Sequence, residues 1–232
     1  DCENNIISHL TITGGDNYRG GGIFTHGSYP ILSHVTISSN TANQGGGIYT
    51  SLYSGSTLTH VTISENTAGS GGGMLMRYSS DATLTHVTIS GNTASGGGGG
   101  MEMFSHCEAT FRNVTINGNS AGTYAGGIES WLSDFTLVNV TISGNTAGEH
   151  GGGMRLLNSN PTLTNVTISG NTAGEFAGGM YIGYSQNPTS STNATLTNSI
   201  IWDNSPESIY FREYNDPSTI SIQYSDIEGG EE

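Results

Sequence analysis

The sequence predicts an all-β fold, a single-stranded right-handed parallel β-helix (β-solenoid) of about nine rungs with about 26 residues in each. Three observations predict it. An anchor of the type Val61-Thr62-Ile63-Ser64 recurs, with first residues Leu10, Val35, Val61, Val87, Val114, Val140, Val166, Ser199 and Ser225. The steps between copies are 25, 26, 26, 27, 26, 26, 33 and 26 residues, a period sustained from end to end. Within a copy, Leu58, Val61 and Ile63 alternate with Thr59, Thr62 and Ser64, the period of strands with one buried face. Nothing recurs at helical spacing, so equivalent strands of successive repeats must pair in parallel, and the strong preference of parallel crossovers sets the right hand.

Each element of the repeat has a physical reason. The anchor is the first strand. Three residues beyond its inward Ile comes an Asn (Asn40, Asn66, Asn92, Asn119, Asn145, Asn171 and Asn204), and an amide repeated every coil can bond its copies above and below. Glycine clusters at 20–22, 45–47, 71–73, 96–100, 126–127, 151–153 and 178–179 precede a second alternating run. Glycine suits a sharp corner where the backbone adopts positive φ. A phosphate-cradling role needs a strand before and a helix after the cluster, which this pattern lacks. The second run is the next strand, as in Met74-Leu75-Met76 or Met101-Glu102-Met103. Another corner column reads His9, His34, His60, His86, then Asn113, Asn139, Asn165, Asn198. Its continuation as Asn indicates a hydrogen-bonding polar position and no metal site. Asn113, Asn139, Asn165 and Asn193 head Asn-x-Thr triplets, three of which recur because the coil recurs, so glycosylation is not expected of them.

The whole chain, 1–232, is expected to form one domain, with regular coils over 1–182 and irregular coils over 183–232, beginning with a longer loop at 183–194. Cys2 and Cys107 fall four coils apart, about 19 Å at the spacing of stacked strands, too far for a disulfide. A chain that begins and ends mid-pattern reads as a mature or excised piece of a longer protein.

Composition excludes several functions. With five Arg, no Lys and 19 Asp plus Glu, the net charge is -14, the wrong sign for nucleic acid or an anionic membrane surface. No apolar run reaches the length of a membrane span, so membrane insertion of this segment is not expected. Neither a cofactor nor a metal is expected.

The GGGI and GGGM clusters (Gly45 to Ile48, Gly71 to Met74, Gly151 to Met154) together with Ile-x-x-Asn (Ile37 to Asn40, Ile63 to Asn66, Ile142 to Asn145, Ile168 to Asn171) resemble the paired GGA-[ILV] and FxxN motifs of polymorphic outer membrane protein repeats. Here Ile replaces the Phe, and Ile or Met often follows a third Gly. The resemblance covers about residues 5 to 205. It implies a right-handed β-helix in an extracellular or outer cell-surface bacterial passenger region, often adhesive. It carries over no catalytic residue, because the motifs are structural.

Function must then sit on the outward faces. One face is a grid of Thr11/Thr13, Thr36/Ser38, Thr62/Ser64, Thr88/Ser90, Thr115/Asn117, Thr141/Ser143 and Thr167/Ser169, which any solvated strand would show and which an ice-binding face also needs. The other varies more, reading Phe24, Tyr49, Leu75, Glu102, Glu129, Arg155, Tyr181. Phe24, Tyr49, Glu102, Glu129, Arg155 and Tyr181 are therefore the expected ligand-binding column, with rings to stack on sugars and charges to bind hydroxyls. Glu102 and Glu129 on adjacent coils, with Arg155 beside them, are the candidate catalytic set for a lyase, hydrolase or epimerase; His106, Tyr124 and His150 are neighbours. Against an acidic sugar, Arg19, Arg77, Arg112, Arg155 and Arg212 are all the basic residues there are. The leading expectation is a non-catalytic stalk or adhesion module binding polysaccharide or host-surface glycan, with end-to-end stacking through its open ends as a further mode of assembly.

Overall fold

The computed structural model describes residues 3–183, 191–212 and 218–229. Most of the expected 183–194 loop, and Cys2, lie outside them. The coil is built from three parallel sheets, of 13, eight and seven strands. One full turn runs through Gly55–Thr59 and Thr62–Ser64 in the first sheet, Thr67–Ser70 in the second and Met74–Arg77 in the third. The eight strands of the third sheet give about eight turns, slightly fewer than the count of anchors suggests, because the ninth anchor begins a turn that the described residues do not carry into a third-sheet strand.

Register follows the repeat. Thr62, Thr88 and Thr115 stand in line, as do Ile63, Ile89 and Ile116. Leu58, Leu84 and Phe111 do the same one strand earlier. The inward residues Leu58, Val61, Ile63, Met74 and Met76 are at most 1% exposed, so the core is a set of vertical apolar stacks. Burial of each such side chain contributes about 2 kcal/mol. Cys107 is a free thiol buried in this core.

The asparagine column forms the expected ladder. Asn92, for example, donates its backbone N–H and its Nδ2 to Oδ1 of Asn119, at 3.0 and 2.9 Å, and also donates Nδ2 to the Ile63 carbonyl at 2.9 Å. All its members except Asn204 are at most 1% exposed. The His/Asn corner forms the expected side-chain hydrogen bonds over its second half, with Asn113 Nδ2 3.2 Å from His86 Nε2, Asn139 donating Nδ2 to Asn113 Oδ1 at 3.2 Å and Asn165 donating Nδ2 to Asn139 Oδ1 at 3.0 Å, and it has a backbone reason besides. All eight residues, from His9 to Asn198, have φ between 50° and 56°. Asn and His are enriched in this left-handed region. The four imidazoles stack on one another at 4.8 to 4.9 Å at the surface.

Glycines divide into two kinds. The glycine three residues before a third-sheet strand, such as Gly71 (φ 61°) or Gly98 (φ 67°), supplies the left-handed corner. The following two supply space: a Cβ on Gly73 would lie 2.6 Å from the Gly100 carbonyl oxygen, so coils can stack there only without side chains.

Candidate functional site

The varied column of the third sheet is not the open surface its alternation implies. Tyr49, Leu75, Glu129 and Tyr181 are 2%, 0%, 8% and 6% exposed, and only Phe24, at 48%, stands free. The cover is the glycine corner itself. Beside Gly45, Gly71, Gly98 and Gly151, the nearest atoms include the Cβ of Tyr49, Leu75, Glu102 and Arg155, so the chain leaving the second sheet folds back onto the outer face of the third. What the alternation cannot show is that this corner is re-entrant.

In the middle of that corner the cover parts. A cleft of about 560 Å³ opens between Ser70, Gly97 and Tyr124 on one side and Arg77, Glu102, Phe104, Glu129, Trp131, Arg155, Leu157 and Arg212 on the other. Third-sheet strands run four residues, apart from three at Ile209–Phe211, and their outward side chains form two columns. Glu102, Glu129 and Arg155 belong to the first. Arg77, Phe104, Trp131 and Leu157 belong to the second, in register on successive coils. The second column escapes a sequence reading that ends each run at its third residue; extending the run by one residue finds it.

Glu102 and Glu129 are direct register partners, about 4.8 Å apart at the backbone. Each has its own arginine. Arg155 donates Nη1 to Glu129 Oε1 at 2.6 Å, and Arg77 Nη2 lies 3.7 Å from Glu102 Oε1. Their side chains are 15% and 10% exposed in the first pair and 22% and 12% in the second, so both pairs are largely desolvated. The Arg155 guanidinium lies 3.9 Å from the Tyr124 ring centroid, and that of Arg77 lies 5.3 Å from Phe104. The edge of Phe104 meets the Trp131 ring, with centroids 5.0 Å apart. Polar capacity is left over: Arg77 Nε, Arg155 Nε, Trp131 Nε1 and Glu102 Oε2 are buried without a hydrogen-bond partner. An unmade hydrogen bond at a buried group costs about 1 to 3 kcal/mol.

Burial raises both carboxyls above their ordinary range. For Glu129 it reaches about 7, burial being the main cause, with Glu102 adding to it and Arg155 opposing. For Glu102 the direction is the same, burial outweighing the attraction of Arg77. A carboxyl raised on folding holds its proton longer in the folded state. Its contribution to stability is therefore complete below pH 4.5 and is lost as pH rises toward 7. We expect this single group to lower the unfolding free energy by on the order of 3 kcal/mol across that window. Chemical denaturation of the protein and of Glu129→Gln, from pH 4 to pH 8, checks it: the difference between the two profiles should carry the slope, and parallel profiles would refute it.

The remaining expected residues distribute as follows. Phe24 stacks on Tyr49 at 5.5 Å, four or more coils from Arg155. Tyr181 stacks on His150 at 5.0 Å and on Tyr210 at 5.6 Å, and with Leu157 and Ala177 forms a small apolar cluster outside the coil, against which Trp131 packs. Of the helpers, Tyr124 reaches the cleft, His150 supports Tyr181, and His106 faces a separate hollow with Glu108 and Asp134. The hydroxyl grid is in register from Thr11 to Thr167, then ends against Ile200 and Trp202. Among the described residues no group of three or more His, Cys, Asp or Glu could hold a metal ion, and no helix is long and apolar enough to cross a membrane.

A family model described as a right handed beta helix region matches residues 1–147. No curated protein and no solved structure matches the chain.

Proposed function

The chain belongs to the right-handed β-helix family, and from that premise we propose that it is a rigid, non-catalytic saccharide-binding region of a secreted or cell-surface bacterial protein. The cleft between Arg77 and Arg155 is its binding site. One observation supports this above the others. Four buried polar groups of a single cleft lack partners while aromatic rings stand beside them, the mixture of apolar platform and orienting polar groups that a sugar ring requires. The stalk role rests on the unbroken ladder, and the bacterial surface setting on the resemblance of the glycine and Ile-x-x-Asn motifs.

In this reading Trp131 is the platform and Glu102 and Glu129 accept from hydroxyls. Trp131→Ala is expected to weaken saccharide binding by about tenfold or more, as loss of a central aromatic anchor does. A glycan array followed by titration calorimetry measures it, with circular dichroism to confirm that the coil persists. Unchanged affinity in a folded Trp131→Ala would defeat the assignment, and absence of any glycan binding would leave the stalk alone.

A second reading is supported by the raised carboxyl. Glu129, holding a proton near neutral pH beside Glu102, has the properties of a general acid with a companion carboxylate, the pair used to break glycosidic bonds. Hydrolysis of a polysaccharide that disappears in both Glu102→Gln and Glu129→Gln would establish it. A broad substrate screen without turnover removes it.

A further inference from the structure

The histidines are unevenly placed. Four of the seven, His9, His34, His60 and His86, stand exposed on one corner of successive coils, with ring centroids 4.8 to 4.9 Å apart and planes within 14° of parallel. No ion pair among the described residues involves any of the four. Ser33 Oγ lies 2.8 Å from His34 Nδ1, and Asn113 Nδ2 lies 3.2 Å from His86 Nε2. Of charged residues, Arg112 adjoins the row at its last member, its backbone carbonyl accepting from the His86 N–H at 3.0 Å.

The other edge of the same strands carries the opposite charge. Strand Asp81–Thr85 begins at a carboxylate and ends one residue before His86. Thr83 pairs with Thr110 and Ala109 with Phe135, which sets Asp81, Glu108 and Asp134 in line on three successive coils, all exposed. Through Oδ1, Asp81 accepts from the Glu108 backbone N–H and Asp134 from that of Asn160, each at 2.7 Å, so the row is held in place from coil to coil. Hollows of about 250 and 380 Å³ lie between Glu108 and Asp134, the first shared with His106, and each has room for an imidazole ring. Both rows advance by one coil, about 4.8 Å, per member. Two parallel copies set side by side with an offset of two coils therefore bring His34, His60 and His86 of one opposite Asp81, Glu108 and Asp134 of the other.

We propose that acidification joins copies of this protein side by side, the protonated histidine row of one lying along the carboxylate row of the next. Imidazole is the side chain that gains its charge between about pH 8 and pH 5, while exposed carboxylates keep theirs. With neutral imidazoles a net charge of -14 holds copies apart; seven protons halve it to -7. Four stacked imidazolium rings repel one another, and a facing row of carboxylates at the same spacing relieves that repulsion. The two rows sit on different corners of one copy, so the contact is heterologous. Each copy that joins leaves one row of each kind open, and the assembly grows past a dimer. Both rows lie outside the cleft between Arg77 and Arg155, so this inference is independent of saccharide binding.

The experiment is sedimentation velocity of the protein at pH 7.5 and pH 5.5, the lower value still above the isoelectric point of about 4.6, so that precipitation at zero net charge does not enter. The 24.1 kDa chain should be monomeric at pH 7.5 and form species of three or more copies at pH 5.5, which disperse in about 0.5 M salt. Two triple variants test the rows: His34→Asn with His60→Asn and His86→Asn, and Asp81→Asn with Glu108→Asn and Asp134→Asn. Asparagine already occupies both columns in later coils, at Asn113 and at Asn160, so the coil is kept, and circular dichroism confirms it. Each variant alone should remain monomeric at pH 5.5, the second despite its lower negative charge. Mixed, they should give a heterodimer and nothing larger, because each then has one working row. A protein that is monomeric at both pH values overturns the inference, as does acid assembly that persists in either variant. Failure of the mixed variants to pair overturns the assignment of these two rows to each other.

Discussion

Gly99→Ala is expected to destabilise the coil by about 3 kcal/mol or more, enough to prevent many such domains from folding. A Cβ at this position would lie 2.5 Å from the Ser120 carbonyl oxygen and 2.6 Å from that of Gly126, both in the next coil. These are backbone atoms held by ladder hydrogen bonds on either side, including Gly99 N–H to the Ala125 carbonyl at 2.9 Å, so neither can withdraw. The control is Gly118. It has φ of 61° but open space around it, and the equivalent corner holds Ser39, Glu65 and Asp203 in other coils. Gly118→Ala should therefore cost only about 1 kcal/mol of left-handed strain, and Gly118→Asn less. Thermal unfolding of the three variants ranks them; a Gly99→Ala protein as stable as Gly118→Ala would mean that the coils are not stacked at this distance.

Asn119→Ala comes next, with an expected loss of about 3 to 5 kcal/mol. The Asn119 side chain accepts from the backbone N–H and Nδ2 of Asn92 and donates Nδ2 to the Ile89 carbonyl and to Asn145 Oδ1, all between 2.9 and 3.0 Å. Truncation strands buried partners on the coils either side. Asn119→Asp separates donor loss from packing loss, since it keeps the shape but offers no N–H to Ile89 or Asn145. It should be nearly as harmful as alanine. Urea unfolding of both variants measures this, and a near-native Asn119→Asp would show that shape alone is what the column provides.

Legibility in the sequence tracked the spacing of the forces involved. The stacked apolar core, the parallel register and the amide ladder each come from one residue type returning every turn, so a period of about 26 residues exposes them directly. The seven-strand second sheet is only two residues long in several coils, as at Thr93–Ala94, too short for alternation to mark it. The cleft was half legible. Glu102, Glu129 and Arg155 stood out as departures within a column, but Arg77, Phe104 and Trp131 lie one position past the visible run. Their burial depends on a re-entrant glycine corner, and no periodicity reports which way a corner turns. Likewise the His/Asn column advertises the polarity that its amides use to bond one another, but not the dihedral angle of about 55° that each position also requires.

The amide ladder also has a direction. From Asn40 to Asn171 every member gives its backbone N–H and one Nδ2 hydrogen forward to the next Asn Oδ1, while Asn204 closes the column by receiving on its oxygen and donating Nδ2 to the Ile168 and Trp202 carbonyls. Parallel dipoles arranged head to tail reinforce one another. The column thus has an electrical axis, partially negative toward its first turns and partially positive toward its last. Reversing a single amide would set two like ends against each other inside the protein, so the column can grow or shorten by whole turns but cannot tolerate a flipped member.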